Sequence, residues 1–517
     1  MAKKIFSVLM ALLLICSTGV FALAEGEYSE HFEISLGTVS ALADDSWADN
    51  YFNKLVQEKF NVSFKPYSSS AGFDEVTNLW ISTGDMPDWI VAGESLQGLM
   101  EYADQGLLAA LPKGWQERYP NLAAEVNSTG VESYCQADGT WYILPRSTFG
   151  VGFDLEFADH APGHVTRYYR TDWLEEKLPD VMTAAELKAV VEKVVAEKTA
   201  AGEKVYGISG NKAGIVRSFL YPEAGYFKSI YPQNGEYVLG AKHPGVIQGI
   251  KNMKEWYDDG LIDPDFFNRK TDDFRNMFYL GSVFMIYNDG GGGHAGVIGN
   301  GLMQNNPEMT EEPAMGMVNL VSSNGEDFYF TWANGFYRTV VFSPALEEQP
   351  EKFERILAIM DYLALPETIC TMRLGERGVN WDYDENGRPY VIKEYIYNAS
   401  TGADMLYSLC PSAQDAFGYG YNPSVPAWAV KMSVNQMNIK SAAMQKNEKM
   451  PTLKEITVFN RWVSDNKTLF SSIGWEDEVV RIVLAEGADV ETEWNNFIEA
   501  NKGLWQPLLD EMNASLK

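Results

Sequence analysis

The residues able to do chemistry in this 517-residue chain are 5 histidines, 4 cysteines and 71 acids. His160 and His164 are spaced like a metal pair on one helical turn. Pro162 and Gly163 between them break the helix that would aim both rings at one ion. No H-E-x-x-H and no cysteine pair supports zinc, so no metal site and no cofactor are expected. Gly207-Ile208-Ser209-Gly210 falls short of the G-x-S-x-G nucleophile elbow. Asp382-x-Asp384-x-Asn386-Gly387 opens like a calcium loop, yet Lys393 stands where the closing bidentate glutamate belongs. A hairpin accounts for the stretch better: Trp381 and Tyr383 alternate on one side, Tyr390 and Ile392 on the other, with Asn386-Gly387 at the tip. A pair of carboxylates about 5–10 Å apart would suffice for glycoside hydrolysis, and spacing in so acidic a chain cannot expose or dismiss one. Gly290 to Gly293 follows a strand-like segment, Val283 to Tyr287. It matches neither phosphate-binding glycine pattern and reads as a turn that lets backbone approach a ligand or a neighbouring segment.

The elements that must position such groups begin after residue 24. Lys3 and Lys4, the apolar run from Ile5 to Phe21 and Ala22-Leu23-Ala24 form a cleavable export signal. That run is shorter than the about 20 apolar residues a membrane span needs. A lipid-modification signal through Cys16 is the alternative, with Ile15 standing where that signal has a small residue. The chain is therefore expected to be extracellular. Its formal charge of −30, or −32 without the two signal lysines, repels nucleic acid and anionic lipid. Cys135, Cys370 and Cys410 are too few and too far apart for a disulfide scaffold. The remaining length exceeds what one core supports, so two or more lobes are expected. Fourteen tryptophans and 27 tyrosines are more than core packing asks for. Such rings combine an apolar face with a polar edge, as sugar rings do, although most aromatics in any fold are core.

Strand and helix signals alternate. Phe32, Ile34 and Leu36 form one face of a strand, and Tyr51, Leu55, Val56 and Phe60 a helical stripe. Thr183-Ala184-Ala185-Glu186 is a capping box, followed by Leu187, Val190, Val191 and Val194 as a buried face. A helix starts at Pro244, turns Val246, Ile247, Ile250 and Met253 inward and stops near Gly260. Another carries Phe353, Ile356, Leu357 and Met360. This alternation predicts α/β lobes with helices covering mixed sheets.

TGDMPDWI (83–90), DGTWYILPR (138–146), YYRTDWLEEKLPD (168–180), EWYDDGLIDPDFF (255–267), GERGVNWDYDENG (375–387) and GADVETEWNNFI (487–498) together resemble the extracellular solute-binding proteins of bacterial carbohydrate ABC importers. The long oligosaccharide-binding lipoproteins of Firmicutes are the nearest subgroup. The resemblance implies a two-lobed α/β fold of the periplasmic-binding-protein type (type II), with a ligand cleft between lobes joined by crossing hinge segments. It implies an N-terminal lobe from 25–160 and 326–375, and a C-terminal lobe from 161–325 completed by 376–517. It implies capture of an oligosaccharide by a monomer and delivery to a membrane permease, without turnover. A secreted glycoside hydrolase and a sugar-sensing binding protein are the alternatives.

In such lobes ligand groups cluster where strands end. The loop after the first strand offers Asp45, Ser46 and Trp47, and the strand Trp89 to Ala92 delivers Gly93, Glu94 and Ser95. The strand ending at Tyr287 offers Asn288 and Asp289. Arg146 falls where the family crosses between lobes, Arg170 and Trp173 begin the first helix of the second lobe, Trp332 and Asn334 precede a second crossing, and Trp381 lies at the hairpin. Tryptophans would stack on pyranose faces, while carboxylates, amides and arginines bond hydroxyls. Each has a structural counterpart reading: a tryptophan as core, Asp45 as a helix cap, Arg170 with Asp172 as a pair. Arginines in the cleft would favour uronic acid oligomers; structural arginines would favour neutral oligosaccharides, with peptides a minor third class.

Overall fold

The computed structural model describes residues 28–37, 50–67, 73–93, 96–148, 150–151, 165–225, 227–233, 235–324, 336–393, 406, 409–412, 425–446 and 472–514. Ten strands build two sheets: β1 Phe32–Gly37, β2 Val62–Tyr67, β3 Trp89–Ala92, β4 Leu144–Ser147, β5 Val165–Arg170, β6 Val181–Thr183, β7 Tyr206–Ser209, β8 Val283–Asp289, β9 Met315–Val321 and β10 Phe336–Phe342. The first sheet has the order β2-β1-β3-β10-β4 and the second β6-β9-β5-β8-β7. In each, one strand opposes four parallel ones. That strand is β10 in the first sheet and β5 in the second.

Those two opposed strands are the ones that arrive from the other lobe. The chain leaves the first sheet at the carboxyl end of β4 and enters the second as β5. It leaves the second at the carboxyl end of β9 and returns as β10. An antiparallel strand starts where its parallel neighbours end, so both passages join the carboxyl edges of the two sheets. A third passage starts at the same edge. Ser412 bridges to Ser147, whose N–H donates to Pro411 O at 2.9 Å, and Val425 already packs in the second lobe. In open α/β sheets this carboxyl edge, at a change of strand order, is where ligands bind.

The helices form where capping and spacing ask for them. α1 (Tyr51–Phe60) is capped by the Asn50 side chain, which accepts from Phe52 N and Asn53 N, and Asn61 at φ 48° ends it. α2 (Pro120–Asn127) lies under β4. The Thr183 and Glu186 capping box opens α3 (Ala184–Ala200), with Leu187, Val191 and Val194 buried and Val190 half-buried. α4 (Lys212–Ala224) packs on α5 (Pro244–Asp258), which buries Val246, Ile250 and Met253 and is followed by Gly260 at φ 72°. α6 (Thr271–Tyr279) precedes β8, and α7 (Gly292–Asn305) follows it. α8 (Pro350–Leu363) buries Phe353, Ile356, Leu357 and Met360 in the first lobe. α9 (Pro366–Leu374) comes next, and α10 (Ala427–Lys446) packs beside α7.

One core fills the first lobe, and two cluster on opposite faces of the second sheet. Val479, Trp494 and Trp505 of the C-terminal helices join the second lobe, whereas Leu406, Leu409 and Cys410 are buried in the first. The expected transfer of everything after 376 to the second lobe is thereby corrected. The hairpin Trp381–Tyr383 and Pro389–Val391 also stays with the first lobe, tied by Arg377 to Glu367 of α9 at 2.7 Å. Its turn is the expected one, with Gly387 at φ 73° and its N–H on Asp384 O. Asp384 Oδ1 accepts from Asn386 N and Arg388 N, and Asp382 Oδ1 from Arg377 Nε and Tyr383 N. Both carboxylates of the calcium-like sequence thus bond to the hairpin itself.

Candidate ligand cleft

On the second lobe, β8 runs out into Asn288 and Asp289, both half-buried. Asp289 Oδ1 accepts from Gly291 N at 2.8 Å, Oδ2 lies 3.0 Å from His294 Nδ1, and its carbonyl accepts from Tyr168 Oη at 2.7 Å. The glycine run turns the chain, and Gly292 already opens α7, whose N-terminus has no side-chain cap. The turn reading of the tetraglycine holds for Gly290 and Gly291, while Gly292 and Gly293 are helix. Arg167, paired with Tyr287 across the sheet, holds its guanidinium 5.4 Å from that ring's centre and donates to Ser218 O. Burial pushes this arginine down to about 10. Lys440 of α10 donates to Val165 O at 2.6 Å, and burial, with Arg167 nearby, pulls it down to about 7.

On the first lobe, Arg146 is 4 % exposed; its Nε donates to Cys410 O at 2.7 Å and its Nη2 to Ser412 O at 3.2 Å. It fastens the start of the third passage instead of presenting a free guanidinium. Next to it, Ser147 Oγ bonds Glu125 of α2, and Val151 N donates to Glu125 Oε1 at 2.8 Å. Glu125 is wholly buried, and burial, outweighing those two bonds, pushes its carboxyl up to about 7.

The site expectations divide according to strand direction. Asn288, Asp289 and Arg146 stand at the carboxyl edges. Arg170 and Trp173 do not: β5 runs against its neighbours, so Arg170 pairs with Met315 at the amino end of β9, on the far edge of the sheet. There Arg170 forks onto Asp172 at 2.8 and 2.6 Å, donates to Phe278 O at 3.1 Å and packs over Trp173. Trp173 stacks on Phe284 and sits in a single 3-10 turn, Thr171–Trp173, in place of the helix expected there. Trp381 is 0 % exposed, donates its indole N–H to Gly375 O at 2.9 Å and meets Tyr383 edge-on. It is core in this conformation, not a sugar platform. Asp45, Trp47, Glu94, Trp332 and Asn334 lie outside the described residues, as do His160 and His164. Arg167, Lys440 and Glu125 were missed. The one signal for Arg167 was a charge inside a strand, Val165–Arg170, that is buried at five of its six positions.

Ser209 Oγ donates to Asp263 Oδ2, which Arg269 also holds, so that serine is part of a structural network. No group of three or more metal-ligating side chains occurs among the described residues, and no described helix is long and apolar enough to cross a membrane.

The same arrangement occurs in solved structures. The chain is similar to the Streptococcus pneumoniae ABC-transporter substrate binding protein FusA in complex with kestose, with 15 % identity, 94 % of this chain and 99 % of that one covered, and a TM-score of 0.64. The alginate-binding protein AlgQ2 without calcium ion gives 16 %, 95 %, 100 % and 0.61. The N-glycan transport solute binding protein NgtS of Streptococcus pneumoniae gives 15 %, 94 %, 97 % and 0.60. The chain has the two-lobed solute-binding fold. No protein-family model matches the sequence, and no curated protein does. The neighbours named above are each described as a binding protein.

Proposed function

We propose that this protein is the extracellular substrate-binding component of an ABC importer, which captures an oligosaccharide between its lobes and hands it to a membrane permease. The observation that carries this reading is the topology: two passages between lobes join carboxyl edges and a third starts from one, an arrangement that suits hinge closure over a ligand. Nearly full-length likeness to proteins named for kestose, alginate and N-glycan binding supports a sugar as the ligand. In this reading Asn288 and Asp289 bond sugar hydroxyls from the second lobe. Asp45, Trp47, Glu94, Trp332 and Asn334 complete the cleft from the loops that adjoin it, with tryptophan stacking on pyranose faces. Export by the N-terminal signal delivers the protein to the cell surface.

Glu125 bears on the hydrolase alternative, since a general acid needs a raised carboxyl within reach of the scissile oxygen. It is buried with both oxygens engaged, which favours binding over hydrolysis. The test is thermal unfolding of residues 25–517 with a panel of neutral and acidic oligosaccharides. A bound sugar at 100 times its Kd adds about 2.7 kcal/mol, and it should be recovered intact. Shortened products would establish a hydrolase, and the absence of any shift across the panel would refute sugar capture.

A further inference from the structure

We propose that the captured oligosaccharide is anionic, and that its carboxylate or sulfate docks at the carboxyl edge of the second sheet, where the end of β8, the first turn of α7 and Arg275 meet. This rests on the sugar-binding reading above and narrows its substrate class.

Local charge opposes the charge of the whole molecule. The chain carries 71 acids against 41 lysines and arginines, yet four cations from four different elements gather around residues 287–289. Arg167 of β5 lies over the Tyr287 ring, and Arg217 of α4 acts on the same phenol. Arg275 of α6 reaches Asn288 Oδ1 at 3.5 Å, and Lys440 of α10 lies within electrostatic range of Asp289 and Arg167. The facing carboxylates are fewer. Asp289 is engaged by Gly291 N and His294, Glu476 is shared between Arg217 and Lys228, and Asp272 lies in the first turn of α6, one turn before Arg275.

Two of the four cations have no carboxylate within ion-pair distance among the described residues. Arg167 is 4 % exposed, with a carbonyl and an aromatic ring as its partners, and Arg275 is half-buried against a single amide oxygen. A buried cation without a counter-ion is costly unless something negative compensates it, and in a low-dielectric wall its field reaches whatever enters beside it.

The docking point has independent features of the same sign. Asn288 Nδ2 is a buried donor with no acceptor. α7 is 14 residues long and its N-cap residue Gly291 makes no side-chain cap, so beside the Asp289 carboxylate the amides and dipole of its first turn favour negative charge. A Cβ added at Gly293 would meet nothing within 4 Å, so a ligand atom has room against this backbone. Arg167 and Lys440 sit behind the wall and act through their field. Arg275 and the α7 amides make the contact. A neutral sugar would bring no counter-ion to Arg167 or Arg275.

Titration calorimetry on residues 25–517 tests this with uronic acid oligomers of several linkages, their carboxyl-reduced neutral counterparts, and a sulfated disaccharide. A uronide or the sulfated sugar should bind at least about tenfold tighter than the neutral counterpart, and its affinity should fall as salt rises. Which of the two anions wins identifies the group. Arg275→Gln should abolish most of that preference, and Arg217→Gln should give a smaller loss of the same kind. Neutral sugars binding as tightly as acidic ones would overturn this inference and leave the importer reading intact. Failure of every sugar would overturn both.

Discussion

Glu125→Gln should change how stability depends on pH, because a buried carboxyl is tied to the start of the first interlobe passage. Folding raises its pKa from the usual 4.5 to about 7, chiefly by burial. The folded state therefore holds this proton more tightly than the unfolded chain does. The resulting stabilisation is complete below about pH 4.5 and is lost as pH rises through about 7. A shift of this size corresponds to about 3 kcal/mol at 1.36 kcal/mol per unit. Glutamine keeps the shape and an acceptor for Val151 N–H but cannot ionise. Urea unfolding of both proteins at intervals between pH 4.5 and 8.5 isolates the effect, since the many other acids contribute equally to both curves. The stability of wild type relative to the variant should fall by about 3 kcal/mol across that range, with the variant the more stable at the alkaline end. Parallel curves would refute the claim that this carboxyl is held protonated in a dry site.

Trp381→Ala should destabilise the protein by about 3–5 kcal/mol, as expected of a buried indole that also loses its bond to Gly375 O, without altering sugar affinity in the folded fraction. A loss of affinity with stability unchanged would restore its role as a stacking platform. Lys440 is held near 7 by burial and by Arg167, with Asp289 opposing and Arg275 and His294 on neighbouring elements. An arriving anion should raise it, so acidic-sugar binding at about pH 7.5 should take up protons, read from calorimetry in buffers of different ionisation enthalpy. Lys440→Met should remove most of the uptake; uptake unchanged in that variant would contradict the assignment.

The limits of sequence reading here follow from which contacts are local. The capping box at Thr183 and Glu186, the Pro244 to Gly260 helix and the Asn386-Gly387 turn are each specified within a few residues, and they form as the sequence predicts. Strand direction is specified by pairing between distant segments. From sequence, the end of β5 at Arg170 looked like a cleft position, whereas its opposed direction carries Val165 to Arg167 to that edge. Burial of Trp381 depends on what covers the hairpin face, which alternation within the hairpin cannot reveal. The lobe boundary at 376 failed for the same reason: Leu406, Leu409 and Cys410 return to the first core, and Arg146 bonds Cys410 O across 264 positions. Glu125 and Lys440 look like surface charges in sequence, and only the tertiary structure buries them.

The central claim is that the ligand lies between the carboxyl edges of the two sheets. A crystal structure of residues 25–517 with the sugar that gives the largest stabilisation tests it most directly. The account predicts the sugar enclosed by both lobes, within hydrogen-bond reach of Asn288 or Asp289 on one side and of the residues following β3 on the other. A sugar bound to one lobe alone, or away from these edges, would contradict it.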